Sequence, residues 1–189
     1  MPSAPKYHLV VDLEATCDDQ GAIPRAQTEV IEIGAVLVDA ETDAAVEEWQ
    51  TFVRPRLHAQ LTPFCSQLTS ITQADVDAAP DLPAALAGLA RFVDGRDAQF
   101  CSWGDYDRVQ LERDARRHGL ARPLGARHVD LRRAFSKRAG GRKWLSVGPA
   151  LARVGLCFEG TAHRGIDDAR NIARLLPYAL GRVPMPARR

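Results

Sequence analysis

A chain of 189 residues has the length of one domain built around one core. Its hydrophobic content is ordinary, and a formal net charge of +1 excludes a global electrostatic pull toward nucleic acid or membrane. The opening MPSAPKYHLVVDLE has no basic stretch followed by a long apolar run, and no run reaches membrane-spanning length, so a cytoplasmic protein with no membrane partner is expected.

In chain order, residues 7–13 read as a strand buried on both faces, and the polar segment 18–28, with Gly21 and Pro24, as a loop. Residues 30–38 (VIEIGAVLV) are a second strand, and residues 46–53 a third, stopped by Pro55. The turn DAETDA joins these two and predicts an antiparallel pair. Thr62 is placed to cap a short helix opening at Pro63. Residues 83–93 are amphipathic, with Leu82, Leu86, Leu89 and Val93 on one stripe. A short strand over 98–103, a helix over 105–118 and a fifth strand over 126–129 follow. After them come basic helical residues and two more helices, over 144–154 and 165–180. Strands first, then strands alternating with helices, predict an α/β fold with a mixed sheet. A single domain fills residues 1–180, and residues 181–189 (GRVPMPARR) read as a flexible basic tail. Cys17, Cys65, Cys101 and Cys157 are far apart and form no C-x-x-C, so buried free thiols in a reducing compartment are expected.

Five residues stand out from this framework. Asp12 and Glu14 are two apart on a strand, so both project from one face. Two adjacent acids repel, and in apolar surroundings they require a cation; taken alone, a D-x-E more often marks a strand fraying into solvent. Asp168 shares the apolar face of its helix with Ile172, Leu175 and Ala179. Asp167 falls with Asn171 and Arg174 on a face that reads as solvated, where it can serve the helix N-terminus. Asp107 stacks with Leu111 and Ala115 on an inward stripe, whereas Asp105 sits at the helix start, as an N-cap would. His163 precedes the Asp168 helix, and a histidine beside a metal-facing acid is suited to general-base work near neutral pH. His8, His58, His118 and His128 lack such company and read as structural or solvated. Glu32, inside the second strand, has two readings, a group that supports the acids from behind and an edge or solvated position, of which the second is the expectation.

The order D-x-E, D, H-x4-D now resembles the DEDDh (DnaQ-like) 3′–5′ exonucleases. The segments DLEATCDD, EVIEIGAVLVD, FCSQLTSITQADVD, SWGDYDRVQL and HRGIDDARNIARLL are similar to the branch that contains KapD and the 3′ exonucleases trimming histone mRNA and small RNAs. The resemblance covers residues 7–180 and is weaker over 121–160. It implies a ribonuclease-H-like fold with a five-stranded mixed sheet flanked by helices. It also implies that Asp12, Glu14, Asp107 and Asp168 hold two divalent ions, Mg²⁺ or Mn²⁺, typically ~3.5–4 Å apart. Asp12 would bridge them, Glu14 and Asp168 complete the nucleophile side, Asp107 serve the leaving-group side, and His163 accept a proton from the attacking water. The implied substrate is a single-stranded nucleic acid 3′ end, RNA favoured over DNA, shortened to nucleoside 5′-monophosphates. Ala15 and Thr16 match positions that contact the 3′-hydroxyl region through their backbone, and Phe64, Leu68 and Tyr106 match positions around the base; ordinary core packing competes for Phe64 and Leu68. Trp103 is expected in the core. Between Asp130 and Glu159 there is no acid, and in this basic stretch Arg142 and Lys143, beside the Gly140–Gly141 pair, are candidates to follow the phosphate backbone; a solvated helix surface competes. The remaining alternatives are a DNA proofreading or repair exonuclease, a non-catalytic nucleic-acid-binding module and a structural metal-binding protein.

Overall fold

Side-chain alternation in two long strands sets the architecture. In β1 (Tyr7–Ala15), Leu9, Val11 and Leu13 enter one hydrophobic core, and Val10 enters a second on the opposite face. In β2 (Val30–Asp39), Ile33, Ala35 and Leu37 join the first core, and Val36 and Val38 the second. Asp12, Glu14, Glu32 and Gly34 therefore lie on the second-core face. The computed structural model describes residues 4–125, 127–140 and 144–187.

β3 (Ala45–Phe52) pairs antiparallel with β2, which pairs antiparallel with β1. β4 (Ala98–Ser102) and β5 (His128–Asp130) extend the other edge in parallel. The order β3-β2-β1-β4-β5 is the five-stranded mixed sheet expected, with β1 at its centre. The first core is closed by α3 (Leu82–Val93) and α4 (Tyr106–Arg117). The second is closed by α5 (Leu131–Arg138), α6 (Val147–Arg153) and α7 (Gly165–Leu180). A small third cluster of Ile31, Leu61, Cys65, Ile71 and Val76 lies under α1 (Pro63–Thr69) and α2 (Gln73–Asp77).

Local signals explain most element boundaries. Thr62 Oγ1 accepts the Cys65 N–H at 3.0 Å and caps α1, as its position before Pro63 predicts. The unforeseen α2 carries a readable signature, a reciprocal capping box between Thr72 and Asp75. α6 starts at Val147, later than expected from residue 144, with Pro149 in its first turn; Trp144, Leu145 and Ser146 are non-helical. The fifth strand begins at His128, and Ala126 lies outside the described residues.

One close approach fixes the site. A Cβ on Gly34 would stand 2.2 Å from the Gly165 carbonyl carbon, so only glycine lets the start of α7 rest on the sheet beside β1. After α7, Arg182 pairs with Asp43 and donates to His8 Nε2 at 2.8 Å, Met185 packs on the second core, and Arg153 donates to the Pro186 carbonyl at 2.9 Å. The segment expected as a tail is thus attached to the domain through Pro186. Among the described residues, no helix is long and apolar enough to cross a membrane.

Candidate active site

The site forms where β1 and β4 end and where α4 and α7 begin, the end of a parallel ladder at which α/β sheets bind ligands. β1 supplies Asp12 and Glu14, the first turn of α4 supplies Asp107, and the first turn of α7 supplies Asp168. Oxygen atoms of Asp12, Glu14 and Asp168 all lie within 4.8 Å of one another. Asp107 is not part of that group, although it is the foremost charged neighbour of Asp12. The β1–β4 ladder stops at Val10–Cys101, and beyond it the Leu13 N–H donates to Asp107 Oδ1 at 3.1 Å. His163 adopts a left-handed backbone (φ 61), uncommon for a side-chain-bearing residue, and its N–H donates to Asp168 Oδ2 at 2.8 Å. All five residues line one cleft of about 530 Å³. Asp107 and Asp168, rather than Asp105 and Asp167, face this cleft, the sides that helix-face counting assigns them.

These acids lack cationic partners: among the described residues, no ion pair reaches Asp12, Glu14, Asp107 or the Asp168 carboxylate from an arginine or lysine. Burial, reinforced by Asp107, Asp168, Glu14 and Glu32, pushes the Asp12 carboxyl well above the usual range. Burial and the neighbouring Asp168 and Glu32 push Glu14 up to about 9. Asp107 rises to about 7 through burial, against the bond from Leu13. Asp168 is also raised by burial, with the His163 N–H opposing. Four acids that resist ionising together fit a site completed by hard divalent cations, which would favour the charged forms.

Three expectations about neighbouring acids need correction. Glu32 is not at an edge or in solvent: it is fully buried, because β2 lies inside the sheet, and it accepts from Arg164 Nε at 3.1 Å, Gly165 N–H at 3.0 Å and Gln50 at 3.2 Å. Asp105 makes no capping bond; its helical backbone (φ −93, ψ −8) turns the side chain away, and it pairs with Arg108 at 3.2 Å. The Asp167–Asn171 face is not solvated. Asn171 is fully buried and donates to the Glu159 carbonyl at 2.7 Å, while Asp167 Oδ2 accepts the Thr161 N–H at 2.9 Å. Both residues hold the loop that carries His163, a role invisible to face counting because it depends on where that loop returns.

The other candidates divide. Tyr106 lines the cleft with its ring partly exposed, and the Arg25 guanidinium stands 5.8 Å from the ring centre. Phe64 lines a neighbouring hollow with Asp18, Asp19 and Gln20, and Leu68 is exposed; neither is in the core. The Thr16 N–H is engaged by the Glu29 carbonyl at 2.8 Å, and the Ala15 carbonyl accepts from Cys65 Sγ at 3.7 Å. Arg142, Lys143 and Gly141 lie outside the described residues. Trp103 is in the core as expected and also lines the cleft, together with Arg132, Ser146 and Phe158, none of which sequence reasoning placed there. Cys65 and Cys101 are buried, but Cys157 is exposed because it lies in the loop after α6, outside the core.

Comparison with known proteins agrees with this geometry. The family pattern described as Exonuclease matches residues 9–176. Human ERI1 exoribonuclease 2 is 33% identical over 89% of this chain, which spans 28% of that protein. The 3′–5′ exonuclease Snipper of Drosophila melanogaster is 30% identical over 90% of this chain and 68% of its own length. Among solved structures, the nuclease domain of 3′hExo, a DEDDh family member bound to rAMP, superposes with a TM-score of 0.87 at 26% identity over the whole of both chains. A 3′-exonuclease captured in 3′-end-specific recognition of histone mRNA stem-loop gives 0.85 at 27% identity, over 92% of this chain and 63% of that one.

Proposed function

This chain belongs to the exonuclease family, in its DEDDh branch with the ribonuclease-H-like fold, and on that premise we propose that it is a metal-dependent 3′–5′ exonuclease acting on single-stranded RNA ends. The observation that carries the proposal is the convergence of Asp12, Glu14 and Asp168 within 4.8 Å, without a cationic partner among the described residues, in a cleft shared with Asp107 and His163. RNA is favoured because the relatives are named exoribonucleases and the neighbouring nuclease domain holds rAMP.

Asp12, Glu14, Asp107 and Asp168 would hold two divalent ions, Mg²⁺ or Mn²⁺, with Glu14 and Asp168 serving the nucleophile side and Asp107 the leaving-group side. When bound, such ions neutralise the phosphodiester and stabilise the attacking and leaving oxygens. His163, exposed at the cleft, accepts a proton from the attacking water at a ring nitrogen, and its backbone bond to Asp168 keeps it beside the ligand set. The aromatic face of Tyr106 stacks on the terminal base. The backbone of Ala15 and Thr16 borders the sugar, while Phe64 and Leu68 flank the base side from α1.

The test is incubation of 5′-labelled single-stranded RNA and DNA with Mg²⁺ or Mn²⁺, with and without chelator. The expected result is a ladder shortening from the 3′ end of RNA, release of nucleoside 5′-monophosphates, and complete inhibition by chelator. Intact RNA in the presence of metal, or shortening that survives chelator, overturns the proposal.

A further inference from the structure

The basic stretch after β5 does not act as one surface. Arg138 is committed to the fold, donating to the Ala179 carbonyl at 3.0 Å and the Leu180 carbonyl at 2.9 Å at the end of α7. Arg133 and Lys137 are exposed. Arg132 differs from all of these. It lines the catalytic cleft, and among the described residues it is the only arginine or lysine that does. It has no carboxylate partner among the ion pairs of the described residues, and its Nε is buried with no hydrogen-bond partner. A buried guanidinium N–H without an acceptor is costly unless an anion completes it.

The guanidinium is held in place. On one side lies the backbone of Gly104, where a Cβ would stand 2.8 Å from Arg132 Nη2. On another lies the Trp144 ring, its centre 5.1 Å from Arg132 Cζ. Trp144 is 59% exposed, an unusual setting for the largest apolar side chain, and the residue after it is anchored: the Trp103 indole N–H donates to the Leu145 carbonyl at 2.9 Å. Trp103 itself is buried against Phe135. A planar cation on the cleft lining, its Nε without an acceptor, therefore stands beside a water-facing indole just outside that lining.

We infer that Arg132 and Trp144 form a second subsite, which takes the strand immediately 5′ of the terminal nucleotide: Arg132 binds its phosphate and Trp144 stacks on its base. This rests on the exonuclease reading of the cleft. Single-stranded nucleic acid is the ligand that supplies both needs at once, an anionic oxygen for the guanidinium and a flat π-face for the indole. Both residues would contact the substrate strand and take no part in the proton transfer assigned to His163.

The subsite predicts discrimination by length. Steady-state kinetics are compared on a single-stranded RNA oligonucleotide and on a nitrophenyl ester of a nucleoside 5′-monophosphate, which reaches the terminal site alone. Trp144→Ala is expected to raise KM for the oligonucleotide by roughly 5-fold or more, the range of a base–aromatic stack, and to lower the oligonucleotide-to-ester ratio of kcat/KM by a similar factor. Trp144→Phe restores most of that ratio. Arg132→Ala reduces the slope of log KM against log salt by about 0.7, the contribution of one phosphate contact on a single strand, and Arg132→Lys restores the slope. Equal losses on both substrates, or an oligonucleotide KM that neither variant moves, overturn the inference. If the wild-type protein hydrolyses neither substrate, the exonuclease reading fails separately. The subsite is then judged by fluorescence anisotropy of a labelled oligonucleotide in chelator: weaker binding by Trp144→Ala supports it, and unchanged binding overturns it.

Discussion

Glu14 and Glu32 stand opposite each other across the β1–β2 ladder, on one face of the sheet. Glu32 is the more deeply buried, and it is fully partnered by Arg164, Gly165 and Gln50. Among the described residues Glu14 has no such partners, and it is pushed up to about 9, burial being the main cause. The same contrast separates Glu29 from Asp12. Glu29 accepts the N–H groups of Arg56, Leu57 and His58 at 2.7 to 2.9 Å, while among the described residues no hydrogen bond reaches the Asp12 carboxylate. Burial of an acid is therefore a poor sign of function in this molecule. The sign is burial without a partner, because the energy of desolvation then awaits a ligand that the chain does not itself provide.

The largest effect expected from this contrast is on catalysis. Asp12→Ala should reduce release of nucleotides to background in the labelled-RNA assay while circular dichroism and the thermal midpoint show a folded protein; normal turnover would remove Asp12 from the site. His163→Ala should lower kcat by ~10²–10⁴-fold, the usual contribution of a general base, with binding of Mn²⁺ retained in titration calorimetry. Stability should divide the two glutamates in opposite directions. Glu32→Ala leaves the Gly165 N–H and Arg164 without their acceptor and should cost about 1–3 kcal/mol in urea denaturation. Glu14→Gln removes a group that is unfavourable when charged and should raise the thermal midpoint of the metal-free protein.

A smaller effect should appear in pH dependence. The folded-state values of Glu14 and Asp107 are raised, from 4.5 to about 9 and from 3.8 to about 7. Between each pair of values the folded state binds more protons than the unfolded state, so stability falls as pH rises. The metal-free protein should therefore lose thermal stability from about pH 4.5 toward pH 9, steeply where Glu14 and Asp107 overlap. Glu14→Gln should flatten that decline, and saturating Mg²⁺ should suppress it by stabilising the ionised acids; a midpoint that rises with pH in chelator would contradict the account.

Much of the fold and of the site is legible in the sequence, for physical reasons that also mark where legibility stops. Periodicity within one helix separates Asp107 from Asp105 and Asp168 from Asp167, because the inward stripe is a local property. The D-x-E pair is readable because alternation on a strand is local as well. Glu32 was not readable, since its burial depends on β2 lying between β1 and β3, and strand order leaves no trace in periodicity. Asn171 escapes periodicity for the same reason: the carbonyl it holds, Glu159, returns from a loop outside its helix. Arg132 looked like any other member of a basic run, and only the packing of Gly104 and Trp144 around its guanidinium distinguishes it from Arg138.

The most direct test is calorimetric titration of the metal-free protein with Mn²⁺ near neutral pH, repeated in buffers of different ionisation enthalpy. The account predicts binding accompanied by net proton release, since raised carboxyls must ionise to become ligands, with binding lost in Asp12→Ala and retained in Glu32→Gln. Binding by Asp12→Ala equal to that of the wild type, or binding without proton release, would contradict it.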